Sequence, residues 1–130
     1  MTLTSILPLI AGAGAAMFLG YTIIAREKKM KNGWIFPAVI SIMFFGWSVF
    51  SAVYGGAAGF WVEHTRNYWG VQIWFDLLLA VCIGWFFIVP KAGALNMKLV
   101  PWGVLVLATG CIGFTAMVSR MLYLEEKAAR

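Results

Sequence analysis

Four long apolar stretches divide the chain, and short polar connectors separate them. Each stretch is continuous in apolar residues and lacks the alternation that is typical of a half-buried strand. A helix needs about 20 such residues to cross the hydrocarbon core of a bilayer. The pattern therefore predicts spanning helices over residues of about 5–25, 34–54, 68–89 and 99–122.

The length of the connectors fixes the expected architecture. A helix satisfies its own backbone hydrogen bonds, as lipid requires, so helices are favoured over strands. No connector is long enough to hold a soluble domain. We predict an all-α fold in which residues 1–130 form a single transmembrane domain, an integral membrane four-helix bundle.

Glycine, asparagine and proline mark the expected helix ends. Gly55 and Gly56 lower helix propensity after the second stretch. Asn67 or Thr65 is expected to cap the third helix. Pro90 is expected to end that helix, because proline disfavours helical geometry at the preceding residue.

Composition supports a membrane location. The chain is 62% hydrophobic and 12% charged, whereas soluble domains have about 25% charged residues. The net charge of +5 comes from basic residues that flank the apolar stretches, so we expect membrane lipids rather than nucleic acid as partners. The expected location is a bacterial inner membrane.

The distribution of basic residues predicts the orientation. With four crossings, six basic residues fall on the side of the first and third connectors and four on the other. Cytoplasmic segments carry the excess of Lys and Arg, so both termini are expected outside. The six are Arg26, Lys28, Lys29, Lys31, Lys91 and Lys98, and the four are Arg66, Arg120, Lys127 and Arg130.

One polar stripe continues from a connector into an apolar stretch. Tyr68, Gln72 and Asp76 recur at four-residue spacing, which places them on one helical face. Asp76, the only aspartate, would lie about 12 Å along the helix from Tyr68. His64 would join the top of the stripe if the helix began earlier. Arg120 is expected to approach the same mouth and to pair with Asp76 or Glu63.

Three hypotheses account for Asp76. It forms interhelical hydrogen bonds, it lines a ligand pocket as a proton donor or binding group, or it couples proton movement to transport with a pKa raised by burial. The candidate partners for the first hypothesis are Ser41, Ser48, Ser51, Tyr54 and Thr115.

Other catalytic patterns are missing from the sequence. It contains no GxSxG motif and no CxxC pair, and Cys82 and Cys111 lie within apolar stretches. We therefore expect no metal site, and the sequence identifies no cofactor, although a lipid or another hydrophobic ligand would suit the composition. An enzymatic role is not favoured, and Asp76 is the one candidate catalytic residue.

Small residues form a second pattern, on the first stretch. Gly12, Ala16 and Gly20 recur at four-residue spacing, which predicts a face where another helix approaches closely. Gly110 and Gly113 offer a weaker version of this pattern on the fourth stretch.

Residues of about 34–123 resemble a group of small bacterial integral membrane proteins of uncharacterised activity, which share an N…Q…DL helix motif. The matching elements here are Asn67, Gln72, Asp76-Leu77, Trp85, Pro101-Trp102 and Leu122-Tyr123-Leu124. The resemblance implies architecture rather than activity, and this chain departs from the group in having an additional first span.

These patterns predict an accessory or assembly subunit of a membrane complex or a homo-oligomer, with a lipid or isoprenoid-like ligand between its helices. Two alternatives remain open. One is a proton-coupled small-molecule transporter that uses Asp76, and the other is a membrane-embedded enzyme in which Asp76 protonates a lipid or an isoprenoid, as in the distantly similar terpene and carotenoid cyclases.

Overall fold

The structure, a computed structural model, describes residues 2–25 and 31–129. In these residues it has six α-helices and no strand, which confirms the all-α prediction. Three of the helices, α1, α2 and α4, are long and apolar enough to cross a membrane. The helices are α1 Leu3–Ile24, α2 Ile35–Gly55, α3 Gly59–Thr65, α4 Tyr68–Ala94, α5 Leu99–Thr109 and α6 Cys111–Ala128.

The chain divides into two units, Met1–Met30 and Lys31–Arg130. The first contains α1, whose apolar window has no buried residue. A Cβ added at Gly12 or at Gly20 would meet no atom within 4 Å. No other part of the first unit therefore packs on this face, and the close approach of another helix stays a prediction.

The N-terminus of α4 agrees with the sequence, and its C-terminus does not. Asn67 caps the helix by accepting a hydrogen bond from the Gly70 amide at 2.9 Å. Pro90 was expected to end the helix, but α4 continues to Ala94. The Asn96 amide donates to the Gly93 carbonyl and the Met97 amide donates to the Ala92 carbonyl, and these two bonds close the last turn of the helix.

A local hydrophobic contact explains this later ending. Asn96 adopts the left-handed conformation, with φ of 56°, and the Met97 amide donates to the Ala92 carbonyl at 3.0 Å. Ala92 and Met97 are both buried in the core. Packing after Pro90 thus keeps the last turn helical, although the proline itself donates no hydrogen bond.

The single helix expected over residues 99–122 is wrong. Two helices replace it, and they meet at Gly110, where φ is 60° and ψ is −125°. Residues with a Cβ rarely adopt this conformation, so a glycine permits the break. The shorter of the two, α5, has 11 residues and is about 16 Å long.

The helices α5 and α6 fold back on each other as a helical hairpin. A Cβ added at Gly113 would lie 2.8 Å from the Leu105 carbonyl oxygen, whereas residues eight apart in a continuous helix are separated by about 12 Å. Thr109 stabilises the junction, because its hydroxyl donates to Leu105 O at 2.7 Å and accepts from the Gly113 amide at 2.9 Å.

Three hydrogen bonds show that α6 runs antiparallel to α2. The Ser41 hydroxyl donates to Ile112 O at 2.9 Å, and the Ser119 hydroxyl donates to Trp34 O at 2.8 Å. The Asn32 amide donates to a carboxylate oxygen of Glu126 at 3.0 Å. The C-terminal part of α6 therefore lies beside the start of α2, whereas four spanning helices would have placed it beside the end of α2.

The core of the second unit lies where the end of α4 packs on α6. Its buried members are Ile88, Ala92, Met97, Met117 and Met121. We call this region, with the start of α2 and of α5 and the end of α4 and of α6, the core end. The opposite region, with the end of α2, α3 and the start of α4, is the far end.

Candidate functional site

The polar stripe lies on the first third of α4, at the far end. Asn67 fixes the start of the helix, and Tyr68, Gln72 and Asp76 follow on one face. All three side chains are exposed, Tyr68 by 95%. The Gln72 amide nitrogen donates to an Asp76 carboxylate oxygen at 3.5 Å, a distance at the long limit for a hydrogen bond.

The short helix α3 packs on a different face of α4. A Cβ added at Gly70 would lie 2.5 Å from the Glu63 carbonyl oxygen, so only glycine allows this approach. The His64 ring packs edge-on against Trp74, with ring centroids 5.1 Å apart. At about 100° per residue, Gly70 and Trp74 point well away from Gln72 and Asp76.

His64 was expected at the top of the stripe, and this prediction is wrong. The chain forms a separate helix over Gly59–Thr65 instead of extending α4 upstream. His64 Nδ1 is hydrogen-bonded to the Phe60 carbonyl within α3. The ring is therefore held on the Trp74 side of α4 and does not join Asp76.

Arg120 is also separated from the stripe. Its guanidinium lies over the Tyr123 ring, 5.5 Å from the centroid, at the core end. Phe114 packs beside Gly84 of α4, and α4 and α6 run in the same direction there. Counting helix rise from that level, Asp76 lies about 20 Å from Arg120 along the axis. The predicted salt bridge is therefore absent, and Glu63 pairs with Arg66 at 2.9 Å instead.

Two of the expected hydroxyl partners of Asp76, Ser41 and Thr115, donate their hydrogen bonds elsewhere. Ser41 donates to Ile112 O, and Thr115 donates to Cys111 O within its own helix. The Tyr54 ring packs against the Phe50 ring at an interplanar angle of 39°, with centroids 4.5 Å apart. Within residues 31–129, Gln72 is the hydrogen-bond partner that the structure gives Asp76.

The described residues contain no group of three His, Cys, Asp or Glu side chains that would hold a metal ion. Cys82 and Cys111 are free thiols. An open depression at the far end does not include Asp76, and its lining residues are Glu63, His64, Arg66, Asn67, Trp69, Gly70 and Ile73. The arrangement offers hydrogen-bonding groups on a helix surface rather than an enclosed reaction site.

Gly113 and Ser119 make contacts between helices that the sequence did not predict. The Gly110 and Gly113 pair was interpreted as a weak packing face, and its spacing of three residues in fact accompanies a turn. Ser119, which is buried at 8% exposure, carries the bond to Trp34. A serine near the end of the apolar stretch 99–122 is the signal that would have identified an interhelical contact.

Comparisons of this chain with protein-family models, with curated proteins and with solved structures found no match. The resemblance to small bacterial membrane proteins stays a prediction.

Proposed function

We propose that this protein is a small membrane subunit that acts by packing its helices against other membrane-embedded helices, in a larger complex or in a homo-oligomer. The observation that carries the proposal is Asp76, which is exposed on an apolar helix and has Gln72 as its hydrogen-bond partner.

A lipid-exposed carboxylate is unfavourable in a bilayer. An ionised Asp at the centre of a spanning helix costs about 2.5–3.5 kcal/mol on insertion scales. Asp76 is about 12 Å from the start of α4, so its cost is smaller but still unfavourable. A donor group on a neighbouring helix would offset this cost, and among the described residues of the second unit Gln72 is the donor that Asp76 has.

Apolar exposure supports the same proposal. The second half of α2 carries a ladder of aromatic rings, in which Trp47 stacks on Phe50 with centroids 5.5 Å apart and Phe50 packs against Tyr54. These side chains are 46%, 49% and 78% exposed, respectively. Lipid, an isoprenoid-like ligand or partner helices would bury this ladder, and Asp76 favours a polypeptide partner because a hydrocarbon chain offers no hydrogen-bond donor.

The proposed location is a membrane, since three helices have the length and hydropathy of spans. The four-helix bundle would require a fourth complete crossing, which the broken α5–α6 segment does not provide. An orientation with both termini outside depends on that crossing, and the geometry of α6 favours a different orientation.

The test is purification of the full chain from its membrane in a mild detergent, with the complex mass and the copurifying proteins measured. We expect a species larger than the monomer. Asp76→Asn retains hydrogen bonding and should leave it intact. Asp76→Leu should weaken association by about 3- to 20-fold, because single interhelical hydrogen bonds contribute about 0.6–1.7 kcal/mol.

Two matched controls accompany this test. Cys82→Leu introduces the same side chain at an exposed position on another face of α4 and should leave association unchanged. On α1, Gly12→Leu should disrupt a helix contact, and Gly14→Leu, about 200° around the helix, should not. A monomer without copurifying protein, or a complex that is insensitive to Asp76→Leu, would contradict the proposal.

A further inference from the structure

The α5–α6 hairpin has the length of half a membrane crossing in each arm. α5 covers about 16 Å from Leu99 to Gly110. The charge-free start of α6, from Cys111 to Ser119, has nine residues and covers about 13 Å. The hydrocarbon core is about 30 Å thick, so neither arm spans it alone.

The hairpin begins and finishes at the same end of the second unit. Leu99 follows α4 and packs on the core. The Ser119 hydroxyl donates to the Trp34 carbonyl at the start of α2. The Glu126 carboxylate accepts from the Asn32 amide, which lies just before α2. The tip at Gly110 lies near the level of Ser41, because the Ser41 hydroxyl donates a hydrogen bond to the Ile112 carbonyl, two residues after the tip. Ser41 is six residues into α2, about 9 Å from its start.

Hydrogen-bonding requirements agree with a tip inside the membrane. Non-helical backbone is tolerated there only where protein buries it or re-satisfies its polar groups. The Gly110 amide donates to Val106 O at 2.7 Å, and Thr109 caps the Gly113 amide. The described residues have no buried side-chain nitrogen or oxygen without a partner.

With α5 and α6 arranged as a hairpin, nearly all basic residues lie at the core end. Among the described residues, the far end carries Arg66 alone. In the whole sequence, the hairpin places Arg120, Lys127 and Arg130 on the side of the first and third connectors. The count of basic residues on the two sides then changes from six against four to nine against one. The described basic residues at the core end are Lys31, Lys91, Lys98, Arg120 and Lys127.

We propose that α5 and α6 form a re-entrant hairpin that enters and leaves the membrane on the cytoplasmic side, so that the C-terminus is cytoplasmic. With three complete crossings, by α1, α2 and α4, the N-terminus is then on the opposite side. This inference depends on the membrane location of the proposed function and not on assembly with a partner.

The test maps single cysteines with a membrane-impermeant maleimide, in the full chain with Cys82→Ala and Cys111→Ala. The three probe positions are exposed. Ala57→Cys reports the far end, Ala94→Cys the end of α4, and Ala129→Cys the tail. We expect Ala57→Cys to react in intact cells, and the other two to react only after lysis.

The outcomes are distinct. Labelling of Ala129→Cys together with Ala57→Cys in intact cells would show a complete fourth crossing and overturn the hairpin. Labelling of Ala94→Cys and Ala129→Cys, but not of Ala57→Cys, would overturn the cytoplasmic assignment. Equal behaviour of all three probes would contradict the membrane location itself. A retained elution volume and helical circular dichroism identify variants that fold.

Discussion

Gly113→Ala is the most direct test of the contact that holds the hairpin together. The added Cβ would lie 2.8 Å from the Leu105 carbonyl oxygen and 2.7 Å from the Thr109 hydroxyl oxygen. Carbon atoms do not approach a backbone oxygen this closely, and the backbone of α5 yields less readily than a flexible side chain. The substitution must therefore move α5 away from α6.

The expected magnitude has two contributions. Overpacking in a well-packed core costs about 1–3 kcal/mol. Alanine is more favourable than glycine in a helix interior by about 0.8–1.0 kcal/mol. The first term should dominate because the obstructing atom is backbone, so we expect Gly113→Ala to lose up to about 2 kcal/mol of unfolding free energy.

Gly46→Ala is a matched control. It makes the same substitution within α2, where an added Cβ meets no atom within 4 Å. The helix-propensity term favours alanine in both variants, so their difference reports mainly the steric contact. We expect the two unfolding free energies to differ by about 1–3 kcal/mol.

The assay is reversible unfolding in mixed micelles by titration with a denaturing detergent. Circular dichroism reports helix content, and the fluorescence of the seven tryptophans reports packing. If Gly113→Ala is as stable as Gly46→Ala, then α5 and α6 do not cross closely at Gly113, and the hairpin geometry is wrong.

Two further substitutions test the core and the cap of α4. Met117→Ala removes a side chain with 0% exposure and should cost about 2–5 kcal/mol in the same unfolding assay, whereas Met43→Ala, at a position 70% exposed, should cost little. Equal losses would show that the core does not centre on Met117. Asn67→Ala removes the side chain that caps the Gly70 amide and should cost about 1 kcal/mol. Asn67→Ser should restore most of that loss, and a lack of rescue would exclude capping as the cause.

The candidate site was partly predictable from local sequence. The stripe of Tyr68, Gln72 and Asp76 follows from helical periodicity alone, because residues four apart share a face whatever surrounds them. The expected partners of Asp76 were not predictable in this way. Arg120 and His64 were assigned to the stripe from an assumed fourth span and an assumed longer third helix, and the turn at Gly110 and the separate helix α3 removed both assumptions.

The sequence by itself determined that the chain is helical and that the stretches of α1, α2 and α4 are long enough to cross a bilayer. It also offered Asn67, together with Thr65, as the cap of α4, and the structure uses Asn67. These properties depend on composition and on neighbours within a few residues. Tertiary structure alone decided the course of residues 99–122. Their hydropathy is the same for one long helix and for a hairpin, whereas the contact between Gly113 and Leu105 and the bond between Ser119 and Trp34 depend on residues that only folding brings together. The direction of α6 follows from those contacts, and the side that we propose for the C-terminus depends on that direction.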